Sequence, residues 1–178
     1  MARYGMMIDT RKCVGCYACR VSCQMQNELP VEVSFIKFHE IETGVFPNVK
    51  NEIIPVQCQH CEDAPCESVC PTKATYTTED GIVLVDPEKC IGCKYCMVAC
   101  PYQARTQDHL TGVVEKCRFC VDLVAEGKQP ACVSTCISTA RIFGDLDDPN
   151  SEISKAIIKY NAKPLRQDLG KTKIYYVR

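Results

Sequence analysis

The stretch Cys90-Ile-Gly-Cys93-Lys-Tyr-Cys96-Met-Val-Ala-Cys100-Pro101 decides the fold of this chain. Its spacing, C-x2-C-x2-C-x3-C-P, is typical of bacterial proteins that hold two iron–sulfur clusters. Three thiolates on the tight loop ligate one cubane cluster, and the fourth ligates a different one. Pro101 disfavours the α-helical region for Cys100, so the intervening helical turn ends there. This stretch therefore predicts iron–sulfur clusters bound in pairs.

The N-terminal stretch repeats this pattern. Cys13 and Cys90 lie 77 positions apart, and the residues around them match at that constant offset from Ile8 to Cys23. Gly15 and Gly92 occupy the same slot, where a backbone that wraps closely around a cluster needs a residue tolerant of positive φ. The proline is missing from the first copy. The match is an internal repeat and predicts two related structural units.

The sixteen cysteines fall into four quartets, named here A to D in chain order. Quartet A is Cys13, Cys16, Cys19 and Cys23; quartet B is Cys58, Cys61, Cys66 and Cys70; quartet C is Cys90, Cys93, Cys96 and Cys100; quartet D is Cys117, Cys120, Cys132 and Cys136. Quartet B has a widened x4 gap, and quartet D has eleven residues between its second and third cysteines.

Paired quartets of a two-cluster ferredoxin exchange their last cysteines. Quartets B and C are adjacent and joined by a predicted hairpin, so they pair, which leaves quartet A to pair with D. Four [4Fe–4S] clusters are predicted, with ligands Cys13, Cys16, Cys19 and Cys136 (cluster 1); Cys23, Cys117, Cys120 and Cys132 (cluster 2); Cys58, Cys61, Cys66 and Cys100 (cluster 3); Cys70, Cys90, Cys93 and Cys96 (cluster 4).

The predicted fold class is α+β, with two nested bacterial-ferredoxin-like units related by a pseudo-two-fold repeat. The inner unit spans 53–102 and holds quartets B and C. The outer unit spans 1–52 plus 103–178, holds quartets A and D, and includes a C-terminal extension. The apolar core of such small units is insufficient for stability, so the clusters must supply much of the folding free energy.

Local patterns predict the elements around the quartets. They are a strand at 3–9, two strands within 31–57 with a turn at Thr43-Gly44, a hairpin at 74–86 turning at Asp80-Gly81, two helical turns at 121–126, a strand at 141–145, a helix from Ser151 to about Tyr160 and a strand at 173–178.

Other interpretations of the cysteines remain open at this stage. Sixteen cysteines in 178 residues reach the level of a disulfide scaffold, but the CxxC grouping favours metal thiolate sites. A zinc ion at quartet D, with three clusters elsewhere, is an alternative because two CxxC-like pairs with a spacer suit zinc. The net charge of −1 with mixed signs does not indicate a nucleic-acid partner.

Several residues near the cysteines have two possible roles. His60 either donates a hydrogen bond to a cluster sulfur or lies on the loop surface, and the sequence favours the surface. His39 and His109 are expected to be solvated. The cations that flank cysteines either offset cluster charge or are solvated; they are Lys12, Lys89, Lys94, Lys116 and Arg118. The side chains expected to shield clusters from water are Tyr17, Tyr95, Met97 and Phe119.

No nucleophile–base pair, phosphate loop or acidic dyad is evident, so no catalytic residue is assigned. Residues 1–8 show neither an apolar signal region nor a twin arginine. No run of 18 apolar residues occurs, so no membrane span is expected. We expect a chain made in soluble form that reaches any other compartment with a partner.

The order of the quartets resembles that of the four-cluster electron-transfer subunits of the molybdopterin oxidoreductase (dimethyl sulfoxide reductase) family, over about residues 1–150. The beta subunits of polysulfide, thiosulfate and tetrathionate reductases are the most similar group. The stretches that carry the resemblance are Cys58-Gln-His60-Cys61-Glu-Asp-Ala-Pro-Cys66, Cys70-Pro-Thr-Lys-Ala, Cys100-Pro-Tyr-Gln-Ala-Arg105, Lys116-Cys-Arg-Phe-Cys120, Pro130-Ala-Cys132-Val and Phe143-Gly-Asp145-Leu.

The resemblance implies a non-catalytic subunit that carries electrons between a large molybdenum or tungsten bis-pterin subunit and a quinone-reactive membrane anchor. It implies clusters 1 and 2 toward the catalytic subunit and clusters 3 and 4 toward the membrane. It also implies a location on the extracytoplasmic membrane face after co-export, with the cytoplasm as an alternative. Cys93 stands where nitrate-reductase relatives have tryptophan and a three-iron cluster, so four cubane clusters are expected.

Two rival functions remain. The first is an electron-transfer subunit of a hydrogenase, formate dehydrogenase or carbon monoxide dehydrogenase system. The short spacer between quartets C and D and the segment Phe143-Gly-Asp-Leu favour the sulfur-reductase type. The second, from another class, is a scaffold that binds metal without redox activity.

Overall fold

The computed structural model describes residues 2–178. The strands are β1 (Tyr4–Asp9), β2 (Lys37–Val45), β3 (Asn48–Val56), β4 (Thr75–Thr77), β5 (Val83–Val85), β6 (Arg105–Gln107), β7 (Val114–Lys116), β8 (Arg141–Asp145), β9 (Lys163–Pro164) and β10 (Ile174–Val177). The α-helices are α1 (Ala18–Gln26), α2 (Pro65–Ser68), α3 (Tyr95–Val98), α4 (Val121–Ala125), α5 (Ala131–Ser134) and α6 (Glu152–Tyr160). Two 3-10 turns, Thr10–Lys12 and Gln167–Leu169, complete the elements.

One four-stranded sheet joins the two ends of the chain. Its strand order is β8-β1-β10-β9, with β1 antiparallel to β8 and parallel to β10. Met6 lies in the middle of the sheet, paired with Phe143 on one side and Ile174 on the other. Helix α6 packs on this sheet through the fully buried Ile153 and is capped by the hydroxyl of Ser151. The strands predicted at 3–9, 141–145 and 173–178 and the helix from Ser151 are therefore confirmed.

Two short antiparallel hairpins lie between the quartets. The first, β4–β5, confirms the hairpin predicted at 74–86, with Thr75 paired to Val85. The second, β6–β7, was not predicted, because its connection has no Asp-Gly or Asn-Gly turn like the one that marks β4–β5. The short helices that follow the cysteine loops pack in pairs, α1 against α5 and α2 against α3. Helices and mainly antiparallel strands agree with the predicted α+β class.

A long hairpin, β2–β3, projects from the body and exposes most of β2. The predicted turn at Thr43-Gly44 is wrong, because both residues lie within the ladder, opposite Lys50 and Val49. The chain turns instead at Phe46-Pro47, where the peptide bond is cis. Proline has no backbone N–H to donate to a ladder, so it occupies the connection.

The start of the predicted hairpin was also misplaced. The strand begins at Lys37, and residues 31–36 form no strand. Val33, Phe35 and Ile36 are instead buried in the main core, where alternation of side chains across a sheet does not apply. The buried core is small and includes cysteines among its members, such as Cys23, Cys58 and Cys117. No helix within residues 2–178 is both long enough and apolar enough to cross a bilayer.

Candidate iron–sulfur cluster sites

Each quartet opens with a C-x-x-C loop that turns in the same way. The residue before the second cysteine has positive φ in all four loops: Gly15 (64°), His60 (44°), Gly92 (66°) and Phe119 (52°). A side chain at Gly92 would place its Cβ 2.8 Å from the carbonyl oxygen of Gly112, so glycine is needed there. The left-handed residue turns the backbone so that the two cysteines face the same side.

The cysteines predicted for cluster 1 lie together. Burial raises the pKa of the Cys19 thiol, and the nearby thiols of Cys13 and Cys136 raise it further. Cys16 is the other neighbouring thiol and is exposed. Quartet A thus meets the last cysteine of quartet D, which comes more than a hundred residues later in the chain.

The cysteines predicted for cluster 2 line one enclosed cavity. Its thiols are Cys23, Cys117, Cys120 and Cys132. Helix α1 provides Cys23, and helix α5, which packs against α1, provides Cys132. Burial raises the pKa of Cys23 to about 12 and that of Cys132 to about 11. Iron must displace a proton from each thiol to bind here.

The inner quartets form two further groups. Cys70, Cys90, Cys93 and Cys96 line one cavity, together with the guanidinium-bearing side chain of Arg105. The remaining group surrounds Cys61, whose pKa rises to about 12 because of burial and then because of neighbouring thiols. Those neighbours are Cys58, Cys66 and Cys100.

The tertiary structure therefore brings together the four groups named from the sequence, although the ligand assignment itself stays a prediction. It argues against zinc at quartet D, because Cys23 and not Cys136 lines the cavity with the other three cysteines. Across residues 2–178, no three thiol, imidazole or carboxylate groups converge on a point that suits a single metal ion.

The last cysteines of quartets B and D have matching hydrogen-bond environments. The Ala140 N–H lies 3.3 Å from the Cys136 sulfur, and the hydroxyl of Ser138 lies 3.7 Å from it. Cys70 has the hydroxyl of Thr72 at 3.7 Å. Partial burial opposes ionisation of both thiols, but these donors and the neighbouring backbone N–H groups lower the pKa of each. Both sulfurs are thus prepared to act as thiolates.

Buried cations give an independent test of whether anionic clusters fit these cavities. Arg105 is 4% exposed, and none of its three guanidinium nitrogens has a hydrogen-bond partner among residues 2–178. Arg141 is equally buried, and its Nη2 also lacks a partner. An unpaired buried charge is strongly destabilising. A [4Fe–4S] cluster with four thiolates carries roughly −2 when oxidised, so bound clusters fit this charge pattern.

Two buried lysines lie near quartet B. The Nζ of Lys116 donates to the carbonyl oxygens of Val83 and Cys117. The Nζ of Lys173 donates to the carbonyl oxygens of His60 and Gly81, at 3.1 and 2.8 Å. Of the cations that flank cysteines, Lys116 is thus positioned to offset cluster charge. Lys12, Lys89 and Lys94 are exposed, and Arg118 is half-buried and paired with Glu115.

His60 does not lie on the loop surface, as the sequence favoured, because it is fully buried. Its Nδ1 accepts a hydrogen bond from the Val83 N–H at 3.2 Å, so Nε2 carries the proton, and it has no acceptor among the described residues. Burial lowers the pKa of His60 well below its usual value, and Lys116 and Lys173 lower it further. The ring is therefore neutral.

The other aromatic and histidine predictions have mixed outcomes. Phe119 is 1% exposed and Tyr17 and Met97 are half-buried, as expected of shielding side chains. Tyr95 is 62% exposed, so its predicted shielding role is wrong. It begins helix α3, which turns its side chain outward. His39 and His109 are exposed, which confirms that they are solvated.

Each of the four groups has the next one as a neighbour. Cys19 of the first group and Cys132 of the second both lie beside Arg141. Cys117 of the second group lies near Cys58 of the third. The third and fourth groups meet at Cys66 and Cys96. The sequence predicted the pairing of quartet B with C and of A with D, but it did not indicate that the second and third groups are neighbours.

Exposed apolar residues flank the first and the last group along the chain. Cys16 and Cys93, in the first and last groups, are the exposed thiols of the described chain. Val14 and Ile137 lie beside the first group along the chain, and Ile91 lies beside the last; each is more than 60% exposed. The loops that carry the outermost cysteines are thus accessible to a partner surface.

Comparison with known proteins places the chain among iron–sulfur subunits. Residues 49–146 match the 4Fe-4S dicluster domain. The B subunit of tetrathionate reductase from Salmonella typhimurium is 44% identical over 154 residues, which cover 85% of this chain and 62% of that relative, so the match spans less than two thirds of the relative's length.

Two further relatives match over nearly the whole chain. The B subunit of polysulfide reductase from Wolinella succinogenes is 41% identical over 179 residues, covering 98% of this chain and 94% of the relative. The B subunit of sulfite dehydrogenase from Allochromatium vinosum is 41% identical over 192 residues, covering 96% and 80%.

Proposed function

Because this protein belongs to the family of iron–sulfur subunits of multi-subunit reductases, which carry the 4Fe-4S dicluster domain, we propose that it relays single electrons through four [4Fe–4S] clusters. The proposed route runs between a molybdenum or tungsten bis-pterin catalytic subunit and a quinone-reactive membrane subunit. We further propose that the complex is a respiratory reductase of a sulfur compound, of the polysulfide, thiosulfate or tetrathionate type. The chain itself is the electron-transfer subunit and not a catalyst on its own.

The observation that carries this proposal is the collection of sixteen cysteines into four successive groups of four. Clusters 1 to 4 take the ligand sets named from the sequence, in the order in which the groups lie along the molecule. Each cluster, when bound, accepts and releases one electron. The inner unit at 53–102 would hold clusters 3 and 4, and the outer unit, 1–52 plus 103–178, would hold clusters 1 and 2.

The protein's own residues position the clusters and shield them. Buried side chains such as Phe119 and Phe35 exclude water from the cavities, and burial is one of the means by which proteins set cluster potentials. N–H and O–H donors to Cys70 and Cys136 stabilise those thiolates. Exposed Cys16 and Cys93 bring the terminal clusters close to the surface, where partner subunits exchange electrons with them.

The proposed partner contacts are inferred from the two exposed thiols, Cys16 and Cys93. The catalytic subunit would cover the loop of Cys16, next to Val14 and Ile137, and the membrane subunit would cover the loop of Cys93, next to Ile91. Through the second contact the chain would be membrane-associated, on the extracytoplasmic face after export with its catalytic partner.

The experiment that tests this function is an anaerobic purification of the chain from its native membranes, followed by metal analysis and mass spectrometry of the co-purifying proteins. A large subunit with molybdenum or tungsten and an integral membrane protein are expected. A nickel–iron or nickel-containing partner would instead favour the hydrogenase or carbon monoxide dehydrogenase type. Reversible bleaching of the absorbance near 400 nm by dithionite is also expected, and its absence would favour a non-redox scaffold.

A further inference from the structure

Two buried arginines occupy equivalent positions after quartets C and D. Arg105 follows the last cysteine of quartet C by five residues, and Arg141 follows the last cysteine of quartet D by five residues. Each comes directly after an alanine and begins a strand, β6 or β8. Quartet B has Thr75 in the same position. Each pair of quartets, B with C and A with D, is thus followed by one such arginine.

Arg105 lies between the last two groups of cysteines. Its side chain lines the cavity of Cys90 and Cys93, where cluster 4 is proposed. It also lies beside Cys66 of the third group, and its positive charge lowers the pKa of that thiol against the effect of burial. Burial lowers the pKa of Arg105, and the thiols of Cys66, Cys96 and Cys58 raise it.

Arg141 lies between the first two groups in the same way. Its Nη1 is 3.8 Å from the sulfur of Cys132 in the second group and 2.8 Å from the Oε1 of Gln57. Cys19 and Cys136 of the first group, together with Tyr176, also raise the pKa of Arg141. Burial lowers the pKa of the Arg141 guanidinium, and the surrounding thiols raise it. Neither arginine has an ion pair within residues 2–178.

We propose that Arg105 and Arg141 are counter-cations, each shared by two neighbouring clusters, that raise the reduction potentials of both. Reduction adds one electron to a cluster, with no bond made or broken. A fixed positive charge in a low-dielectric interior stabilises the reduced form more than the oxidised form. Because each guanidinium lies between two groups, its charge acts on both. The inference rests on the four-cluster function proposed above.

The test is a redox titration of the purified holoprotein, followed by electron paramagnetic resonance, for Arg105→Gln and Arg141→Gln. Each substitution removes the charge and keeps a polar side chain. We expect each variant to lower the equilibrium constant for reduction of two clusters at least tenfold. For a one-electron step, each tenfold lowers the reduction potential by about 59 mV. The two pairs of shifted clusters should not overlap, with clusters 3 and 4 affected by the first variant and clusters 1 and 2 by the second.

Conservative and matched variants separate charge from packing. Arg105→Lys and Arg141→Lys keep the charge. They should change the equilibrium constant for reduction of each cluster by less than threefold. Arg178→Gln removes an exposed arginine that pairs with Glu52, and solvent screening should keep its effect below threefold. Equal shifts of all four clusters, or equal effects of the lysine and glutamine variants, would overturn the inference.

A second substitution tests the outer pair without removing the arginine. The Oε1 of Gln57 accepts a hydrogen bond from Arg141. Gln57→Glu places a carboxylate at this position, and its negative charge offsets the positive charge of Arg141. We expect the reduction potentials of the same two clusters to fall as in Arg141→Gln, and unchanged potentials would contradict the proposal.

Iron analysis of the unsubstituted chain, with about 16 atoms expected for four cubane clusters, tests the proposed function separately. Full iron content without selective shifts would overturn only the role of the arginines.

Discussion

The rings of His60 and Phe119 stack with their centroids 3.7 Å apart and their planes inclined by 17°. The two residues hold equivalent positions, directly before the second cysteines of quartets B and D, where quartets A and C have glycine. Both rings are fully buried. The stack therefore joins the loop of the third group of cysteines to the loop of the second and forms part of the contact between the two proposed units.

This contact also explains why two non-glycine residues tolerate left-handed backbone conformations. Positive φ is unfavourable for a residue with a side chain and persists only where the surroundings stabilise it. Here the stacked rings, the Val83 N–H bonded to His60 and the Lys173 ammonium bonded to the His60 carbonyl hold the quartet B loop in place. Phe119 also packs edge-on against Phe143 of the central sheet.

The first prediction concerns this stack. Phe119→Ala should destabilise the holoprotein by about 3–5 kcal/mol, because it removes a fully buried ring and leaves a cavity. Phe46→Ala, the same chemical change at a ring that is 88% exposed, should change stability by no more than about 0.5 kcal/mol. Anaerobic denaturant unfolding, followed by the cluster absorbance, measures both. Equal effects of the two substitutions would show that the stack contributes nothing.

The second prediction concerns the exposed end of the fourth group. Cys93→Ser should damage one cluster and leave three, because Cys93 is assigned to cluster 4 alone. Iron content should fall from about 16 atoms toward about 12, and one set of paramagnetic signals should disappear or become that of a three-iron cluster. Four intact clusters in the variant would refute the ligand assignment.

The third prediction concerns the exchange of last cysteines between quartets A and D. Cys136→Ala should perturb the cluster held by Cys13, Cys16 and Cys19, although Cys136 is separated from them by more than a hundred residues. The reason is that Cys136 lies beside Cys19 and not in the cavity of Cys117 and Cys120.

The reciprocal variant, Cys23→Ala, provides the control for this exchange. It should perturb the cluster of quartet D and spare that of quartet A, because Cys23 lines the cavity of Cys132. Magnetic resonance of the two variants distinguishes their affected clusters. Loss of the quartet D cluster in Cys136→Ala would mean that each quartet holds its own cluster.

The fourth prediction concerns removal of the clusters. A chelator under oxidising conditions should leave a largely disordered chain, because the buried thiols and the unpaired guanidinium of Arg105 are then left without the groups that they bind. Far-ultraviolet circular dichroism should lose most of its helix and strand signal. Reconstitution with iron and sulfide should restore it. A metal-free chain that keeps its native spectrum would show that the apolar core suffices.

Much of the outline was available from the sequence. Cysteine spacing is a local property, and ligation requires fixed numbers of residues between thiolates, so the quartets and the repeat of Gly15 and Gly92 could be identified directly. Strongly patterned segments, such as β8 at Arg141–Asp145 and the helix capped by Ser151, were also predicted with nearly correct ends. The turn of the long hairpin was not, because glycine is compatible with both a turn and a ladder.

The sequence by itself thus determined which cysteines form quartets, the α+β character of the chain and its resemblance to iron–sulfur subunits of reductases. The tertiary structure alone decided how the loops of quartets B and D meet, through His60 and Phe119, and which cations are buried among the cysteines. Burial depends on what the distant parts of the chain place around a residue. His60 was expected at the surface and Lys116 could not be distinguished from Lys12, because a flanking position carries no information about packing across the fold.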